Sequence, residues 1–266
     1  MSATWISKAV LGVILPGLLL AVDPAALLQR ADEVDRQNEE LRRSYVYREL
    51  QTNWNNQEGA GKSRSGLFEN LFVEGLRYRK RLERNGKPLS SKEQKEVESA
   101  MQRTAEQRRA ERKKAGKGFF SRVYSFRYGY VGEVARVSDC SAVGEEAGSW
   151  VIRCEPKAGF VATTEVEREL LCYRQTFWVD QKEMAVAGRR AEVIRAGADL
   201  KPGSVMDERR SREGGDGPWV ARKMWIRFEA PRGKGYQAHE FSDYRRFAVE
   251  STITVDAQPG VPPGRP

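Results

Sequence analysis

The sequence predicts an α+β fold, in which a curved antiparallel sheet has an N-terminal helix over its concave face and a second, charged helix inserted between strands. Two observations lead to this class. About ten segments alternate apolar and polar residues and are separated by turn-forming residues, which is typical of strands. Segments 24–43 and 90–114 instead have the apolar spacing and the end signals of helices. The 266 residues are enough for one large domain.

The composition indicates a folded protein and argues against most classes of enzyme, so we predict a non-enzymatic function. Aromatic residues make up 9% of the chain and include 6 Trp, which argues against intrinsic disorder. With 1 His and 3 Cys, the chain offers little material for a histidine-based catalytic centre or a cysteine-rich zinc site. We interpret His239 as an ordinary strand residue, and we predict no catalytic residue, no metal and no cofactor. Residues 56–63 mimic a phosphate-binding loop, but a strand follows where such a loop needs a helix.

The N-terminus has the features of a secretory signal. Residues 1–8 carry one positive side chain, and residues 9–21 form an apolar run that is too short to span a bilayer. We predict a signal peptide over 1–21, a mature domain over 22–256 and a flexible tail over 257–266. The predicted location is the periplasm, and an uncleaved inner-membrane tether is the alternative.

Both helices have recognisable starts. Pro24 suits the first turn of the first helix. Ser90 and Glu93 have the spacing of a capping box at the start of the second helix. The apolar stripe of the second helix is thin, so we expect this helix to lie on a surface or to project from it.

The clearest hairpin turns at Glu74-Gly75, between strands 67–73 and 76–82. The predicted register places these residues opposite one another: Val73–Leu76, Leu71–Tyr78, Glu69–Lys80 and Leu67–Leu82. The other face of this hairpin then carries Phe68, Asn70 and Phe72 against Arg77, Arg79 and Arg81. Further strands are predicted over 134–140, 149–155, 168–180, 184–195, 219–229, 236–247 and 247–255.

Cys140 and Cys154 flank the turn-like stretch 142–148. A hairpin about that turn places the two cysteines opposite each other, where their side chains approach closely. In an oxidising compartment this favours a disulfide and leaves Cys172 unpaired. Three buried free thiols are the alternative.

One predicted strand has a wholly aromatic face, formed by Tyr124, Phe126, Tyr128 and Tyr130. Because an apolar ligand needs mainly buried apolar area, this face is a candidate groove for acyl chains. The other residues predicted to line the groove are Tyr45, Tyr47, Trp178, Ile226 and Phe228. In the alternative interpretation these residues are core beneath the N-terminal helix. A helix that acts as a lid over a cavity would satisfy both interpretations.

The positive charge is local. Residues 77–117 contain 15 Lys and Arg against 6 Asp and Glu, a net of +9 that equals the formal net charge of the whole chain. The predicted address disfavours nucleic acid as a partner and favours an anionic membrane surface. The residues predicted to face that membrane, on one positive surface with the arginine-rich strand 77–84, are Arg108, Arg109, Arg112, Lys113 and Lys114. A solvated helix face is the alternative.

The order of these features resembles the LolA/LolB-like outer-membrane lipoprotein-carrier superfamily, in particular a divergent outer membrane lipoprotein-sorting branch. The matching segments are YVYRE at 45–49, YRKRL at 78–82, NGKPLS at 85–90, FWVD at 177–180 and FSDYRRF at 241–247. Each segment is a weak motif, and their order along nearly the whole mature chain carries the resemblance.

The resemblance implies an incompletely closed antiparallel β-barrel whose mouth is plugged by helices. It implies a non-enzymatic activity, in which an apolar cavity receives the acyl chains of lipids or lipoproteins. The charged insertion at 89–117 departs from the better-known carriers. The same fold serves envelope sensors and protein-interaction modules that bind a membrane protein, and this is the alternative function.

Overall fold

The structure is a computed structural model that describes residues 23–55, 63–115, 131–196, 201–230 and 233–247. All structural statements concern these residues. The predicted signal peptide, the C-terminal tail and the predicted last strand, apart from its first residue, lie outside them. None of the helices within these ranges is long and apolar enough to cross a bilayer.

The described residues form eleven strands and four helices. In chain order these are α1 (Pro24–Arg42), β1 (Tyr45–Asn55), β2 (Ser63–Val73), β3 (Leu76–Arg84), β4 (Lys87–Pro88), α2 (Ser91–Ala115), α3 (Val131–Val137), β5 (Ser138–Glu146), β6 (Ser149–Pro156), α4 (Glu165–Leu170), β7 (Tyr173–Asp180), β8 (Val186–Val193), β9 (Val205–Arg212), β10 (Trp219–Ala230) and β11 (Gly233–Arg246).

All eleven strands belong to one antiparallel sheet, in the order β4-β3-β2-β1-β11-β10-β9-β8-β7-β6-β5. Strands that are neighbours in sequence therefore pair with each other, except β4 and β5, and β1 also pairs with β11. The chain thus forms two meanders, β1 to β4 and β5 to β11, which the first and last strands join. The two edge strands, β4 and β5, do not pair with each other, so the sheet stays open. This confirms the predicted fold class.

Helix α1 begins and ends close to its predicted bounds. The side chain of Asp23 caps its start by accepting a hydrogen bond from the backbone N–H of Ala25 at 3.0 Å. Leu27, Leu28 and Ala31 form its buried stripe. This stripe packs with α3 and α4 over β6 to β8. The fully buried residues of this core are Leu28, Ala31, Val134, Val137, Ile152, Cys154, Phe177 and Val179.

The strand register assigns each side chain to one of two faces, because opposite residues of neighbouring strands project to the same side. We call the face that α1 covers the helix face, and it contains Phe177. Opposite pairs extend it across the sheet as Phe177–Arg189, Arg189–Glu208, Glu208–Met224, Met224–His239 and His239–Gln51. Glu49, two residues from Gln51, continues it through the pairs Glu49–Phe68 and Phe68–Arg81.

Helix α2 packs on the opposite face, against β2 and β3. Leu71 and Leu76 of the hairpin and Ala105 of α2 are buried there. The predicted capping box is present. The Glu93 carboxylate accepts from the backbone N–H of Ser90 at 2.9 Å, and the Ser90 hydroxyl accepts from the backbone N–H of Glu93 at 3.4 Å.

The hairpin of β2 and β3 has the predicted register near its turn and differs from it at its far end. Leu67 lies opposite Glu83, whereas the prediction placed it opposite Leu82. The Asn85 side chain accepts from the backbone N–H of Ser65 at 2.9 Å and holds the strand ends together. The extra residue is therefore accommodated as a bulge at Leu82.

Two predicted strands were partly wrong. The predicted strand 134–140 is helix α3 up to Val137, because Val131, Val134 and Ala135 lie at helical spacing and are buried beside α1. The predicted strand 168–180 begins only at Tyr173, after helix α4. Strand β9 was not predicted.

The β5–β6 hairpin places Cys140 directly opposite Cys154, and a disulfide joins them with their Cα atoms 4.1 Å apart. Cys172 is a free thiol, partly exposed. Cys154 itself is completely buried in the core beneath α1 and α3.

We expect peptide mapping without reductant to recover Cys140 and Cys154 as one linked pair. Replacing both by serine should lower the free energy of unfolding in urea by about 1–2 kcal/mol, because the crosslink restricts the unfolded chain. Cys172→Ser is the matched control and should leave the urea midpoint nearly unchanged. Recovery of three free thiols from protein exported to an oxidising compartment would contradict the prediction.

Candidate binding site on the helix face

The helix face carries most of the described residues that were predicted to line a groove. Ile226 lies on it through the pairs Ile226–Met206 and Met206–Ala191, and Phe228 is two residues further along β10. Tyr45 and Tyr47 lie on it by alternation with Glu49. The predicted groove residues Tyr124, Phe126, Tyr128 and Tyr130 lie outside the described residues.

Trp178 lies on the opposite face of the sheet, because it alternates with Phe177 of the core. Its ring lies under the guanidinium of Arg209, at 3.9 Å, and its indole N–H donates to Glu146 at 2.7 Å. Trp178 therefore cannot line one groove together with Ile226 and Phe228, and this part of the predicted site is wrong.

Aromatic rings cover the part of the helix face that belongs to β1, β2, β10 and β11. Tyr47 stacks on Tyr244 at 4.8 Å and meets the edge of Phe241 at 5.9 Å. The Phe228 ring lies so close to Gly235 that a Cβ there would be 2.5 Å from it. We call this surface the aromatic wall, and it consists of Tyr47, Phe68, Ile226, Phe228, Phe241 and Tyr244.

A buried carboxylate, Glu49, lies at the centre of the aromatic wall and is 6% exposed. Its oxygens accept hydrogen bonds from Asn70 at 2.9 Å and from two nitrogens of Arg79 at 2.6 and 2.8 Å. The fourth nitrogen that contacts this carboxylate is Nδ1 of His239, at 2.6 Å. Burial opposes ionisation of Glu49, but the hydrogen bonds from His239 and Asn70 and the charge of Arg79 outweigh it and lower the pKa to about 2.

The same geometry orients His239. An ionised carboxylate can only accept hydrogen bonds, so Nδ1 of the imidazole carries the hydrogen that points to Glu49. Nε2 then faces away from Glu49, is buried, and has no hydrogen-bond partner among the described residues. A pKa of about 2 leaves Glu49 ionised and weakly basic at neutral pH, which suits a structural ion pair better than proton transfer.

Helix α1 is fastened to this face by a second ionic cluster. Arg210 of β9 lies 2.7 Å from Asp35 of α1 and 2.8 Å from the buried Glu208. Burial raises the pKa of Asp35, but the charges of Arg210 and Arg42 reverse this and lower it overall. Movement of α1 as a lid would have to break these contacts.

The basic end of α2 is occupied with holding the helix to the hairpin. Arg108 donates to the backbone carbonyls of Val73, at 3.0 Å, and Leu76, at 2.8 Å. Arg109 lies 2.6 Å from the Glu74 carboxylate, and Arg112 also contacts Glu74. The membrane-surface hypothesis therefore rests mainly on two exposed residues that follow, Lys113 and Lys114.

The predicted union of this basic end with the arginine-rich strand was wrong. Arg77, Arg79 and Arg81 project from the helix face, whereas α2 packs on the opposite face. The thickness of the sheet separates the two groups of charges. The alternation was clear in the sequence, but the side on which α2 packs depends on contacts that alternation does not reveal.

Comparisons with known proteins gave matches among solved structures only. The chain matches no protein-family model and no curated protein. It is similar to a DUF1329 family protein from Desulfovibrio piger, with 14% identity over 85% of this chain and 94% of that chain, at a TM-score of 0.37.

Two further structures are similar to the chain. One, described as an outer membrane lipoprotein-sorting protein domain from Vibrio parahaemolyticus, has 13% identity over 82% of this chain and 93% of that chain, at a TM-score of 0.36. The other, a LolA superfamily protein from Nitrosomonas europaea, has 11% identity over 86% of this chain and 96% of that chain, at a TM-score of 0.33. The family that the sequence resembles is thus among the similar structures.

We expect Glu49→Gln to lower the free energy of unfolding at pH 7 by about 2 kcal/mol, because Arg79 loses its buried counter-charge. The folded-state pKa of Glu49 is lowered from 4.5 to about 2, so its stabilising contribution is complete above pH 4.5 and is lost as the pH falls toward 2. The difference in stability between the native protein and this variant should therefore shrink across that range. Urea unfolding measured at several pH values checks this.

The control is Glu240→Gln. Glu240 follows His239 on β11, and its carboxylate is exposed on the opposite face of the sheet. It should leave stability nearly unchanged at every pH. A Glu49→Gln variant that loses no stability at pH 7 would show that the ion pair does not form.

We expect Arg108→Gln to loosen α2, because up to three backbone carbonyls lose a charged donor. Hydrogen exchange of the amides in α2 should accelerate at least tenfold, while exchange in β6 and β7 stays unchanged. Lys114→Gln, an exposed charge on the same helix, is the control and should alter neither. Equal exchange in both variants would mean that other contacts hold the helix.

Proposed function

We propose that this protein is a periplasmic, non-enzymatic carrier or binding protein for the acyl chains of lipids or lipoproteins. The observation that carries the proposal is the placement of the aromatic wall. Residues from four strands put apolar side chains on the face that α1 covers, beside the core cluster beneath α1 and α3. Ile226 and Phe228 are half-buried, so they retain apolar surface that a ligand can cover.

The chemistry of an acyl chain matches this surface. Burial of a methylene group contributes about 0.8 kcal/mol, so a chain laid along the wall gains affinity from area without needing directional contacts. Edge and face contacts between the rings keep the wall in place while a chain slides over it. Tyr124, Phe126, Tyr128 and Tyr130, which lie outside the described residues and were predicted from the sequence to form one aromatic face, are part of the proposed lining.

The Glu49 carboxylate is a poor general base, which supports binding rather than catalysis. The carboxylate is saturated by its partners, and its pKa of about 2 makes it a weak proton acceptor. The predicted signal peptide and the Cys140–Cys154 pair, which is typical of oxidising compartments, support the proposed location.

We expect Ile226→Gln to weaken binding of a fluorescent hexadecanoate at least tenfold, because it places an amide on the wall. Leu50→Gln is the matched control, since it makes the same change from an aliphatic side chain to an amide on the opposite face, where Leu50 is 39% exposed. It should leave binding unchanged. Phe126→Asp tests, in the same assay, the part of the proposed lining that lies outside the described residues. This variant should abolish uptake.

Fluorescence titration gives the affinities, and circular dichroism verifies that each variant is folded. Native mass spectrometry of protein purified from a membrane-containing host should show bound lipid. If the native protein binds no acyl probe and carries no lipid, the proposed function is wrong and a sensor or interaction module is favoured.

A further inference from the structure

Three arginines of β3 project from the helix face at alternate positions, next to the aromatic wall. The guanidinium of Arg77 lies 5.5 Å from the ring centre of Tyr47. Arg79 and Arg81 lie 3.7 and 5.1 Å from the ring centre of Phe68. Guanidinium groups stacked on rings keep their edges available for hydrogen bonds, so this row combines positive charge with apolar surface.

The middle arginine is already neutralised. Arg79 uses Nε and Nη2 to bind both oxygens of Glu49, so its bidentate edge is filled. Its side chain is nevertheless 37% exposed, which shows that solvent reaches this part of the helix face. The Glu49 carboxylate therefore balances the charge of Arg79.

Arg81 has no such partner. Its Nε is buried and makes no hydrogen bond. A charged neighbour is the Glu93 carboxylate, whose pKa the charge of Arg81 helps to lower, but among the described residues Glu93 forms its ion pair with Arg84. Opposite Arg81 lie Phe68 on β2 and then Glu49 on β1, so the wall begins immediately beside it. A buried donor without a partner costs free energy, and an oxyanion that reached it would recover this cost.

We infer that the helix face binds an acyl chain that ends in a carboxylate, with the carboxylate on the guanidinium of Arg81 and the chain along the aromatic wall. This inference rests on the proposed function and specifies its ligand. A single unfilled guanidinium edge matches one planar carboxylate with one negative charge. A phosphate monoester, with a charge of about −1.5 to −2, would require more donors than this edge offers.

The test compares probes that share a sixteen-carbon chain and differ at its end: hexadecanoate, 1-hexadecanol and hexadecyl phosphate. Each displaces a fluorescent uncharged acyl ester from the full-length protein. We expect hexadecanoate to bind at least tenfold more tightly than 1-hexadecanol. Arg81→Gln should abolish this difference and leave the affinity for 1-hexadecanol unchanged, and Arg81→Lys should restore part of it.

The matched control is Lys80→Gln, which removes a positive charge from the neighbouring residue on the opposite face, where Lys80 pairs with Glu69. It should retain the full preference for hexadecanoate. The unchanged affinity for 1-hexadecanol verifies that each variant still has an intact wall.

Each other outcome is informative. If hexadecanoate and 1-hexadecanol bind the native protein equally, the carboxylate site is wrong while the proposed function stands. If neither probe binds, the proposed function itself fails. A preference for hexadecyl phosphate over hexadecanoate would overturn the carboxylate assignment, and a preference for hexadecanoate that survives Arg81→Gln would overturn the assignment to Arg81.

Discussion

The pairing of the first strand with the last strand determines the rest of this structure. Without the β1–β11 ladder, the two meanders would be separate sheets and neither would carry the complete aromatic wall. Glu49 lies on this ladder and contacts residues from three other strands, Asn70, Arg79 and His239. A slip of one residue in β1 would move Glu49 to the opposite face and leave those partners unpaired. The buried ion pair therefore specifies the register that the backbone hydrogen bonds alone would not.

Local signals in the sequence predicted the elements that depend on neighbours in sequence. Pro24 marked the start of α1, Ser90 capped α2, and the turn at Glu74-Gly75 set the hairpin register. Elements that depend on distant partners were missed. Strand β9 reads as a charged segment, and its buried Glu208 is tolerated because Arg210 neutralises it and in turn reaches Asp35 of α1, 175 residues away in the chain.

The candidate site was also predicted only in part, because it depends on partners that are distant in the sequence. Alternation placed Tyr47 with Glu49 on one face of β1, but it could not relate that face to the faces of other strands. Trp178 has the right chemistry and lies on the wrong side, because its face depends on the register through the four strands that separate β7 from β1 in the sheet. The Glu49–His239 contact joins residues 190 apart, and its signals in the sequence were a single histidine and one carboxylate in an aromatic alternation.

The ladder also constrains when the protein can finish folding. Residues 45–55 are synthesised early, yet their partner strand ends at Arg246, and ribosomes add about 5–20 residues per second. For roughly 10–40 seconds β1 therefore presents an unpaired edge, and such edges template pairing with other chains. Such long-range pairing also slows folding. During that interval, a holding chaperone or dilution would keep this edge of a nascent copy from pairing with another copy.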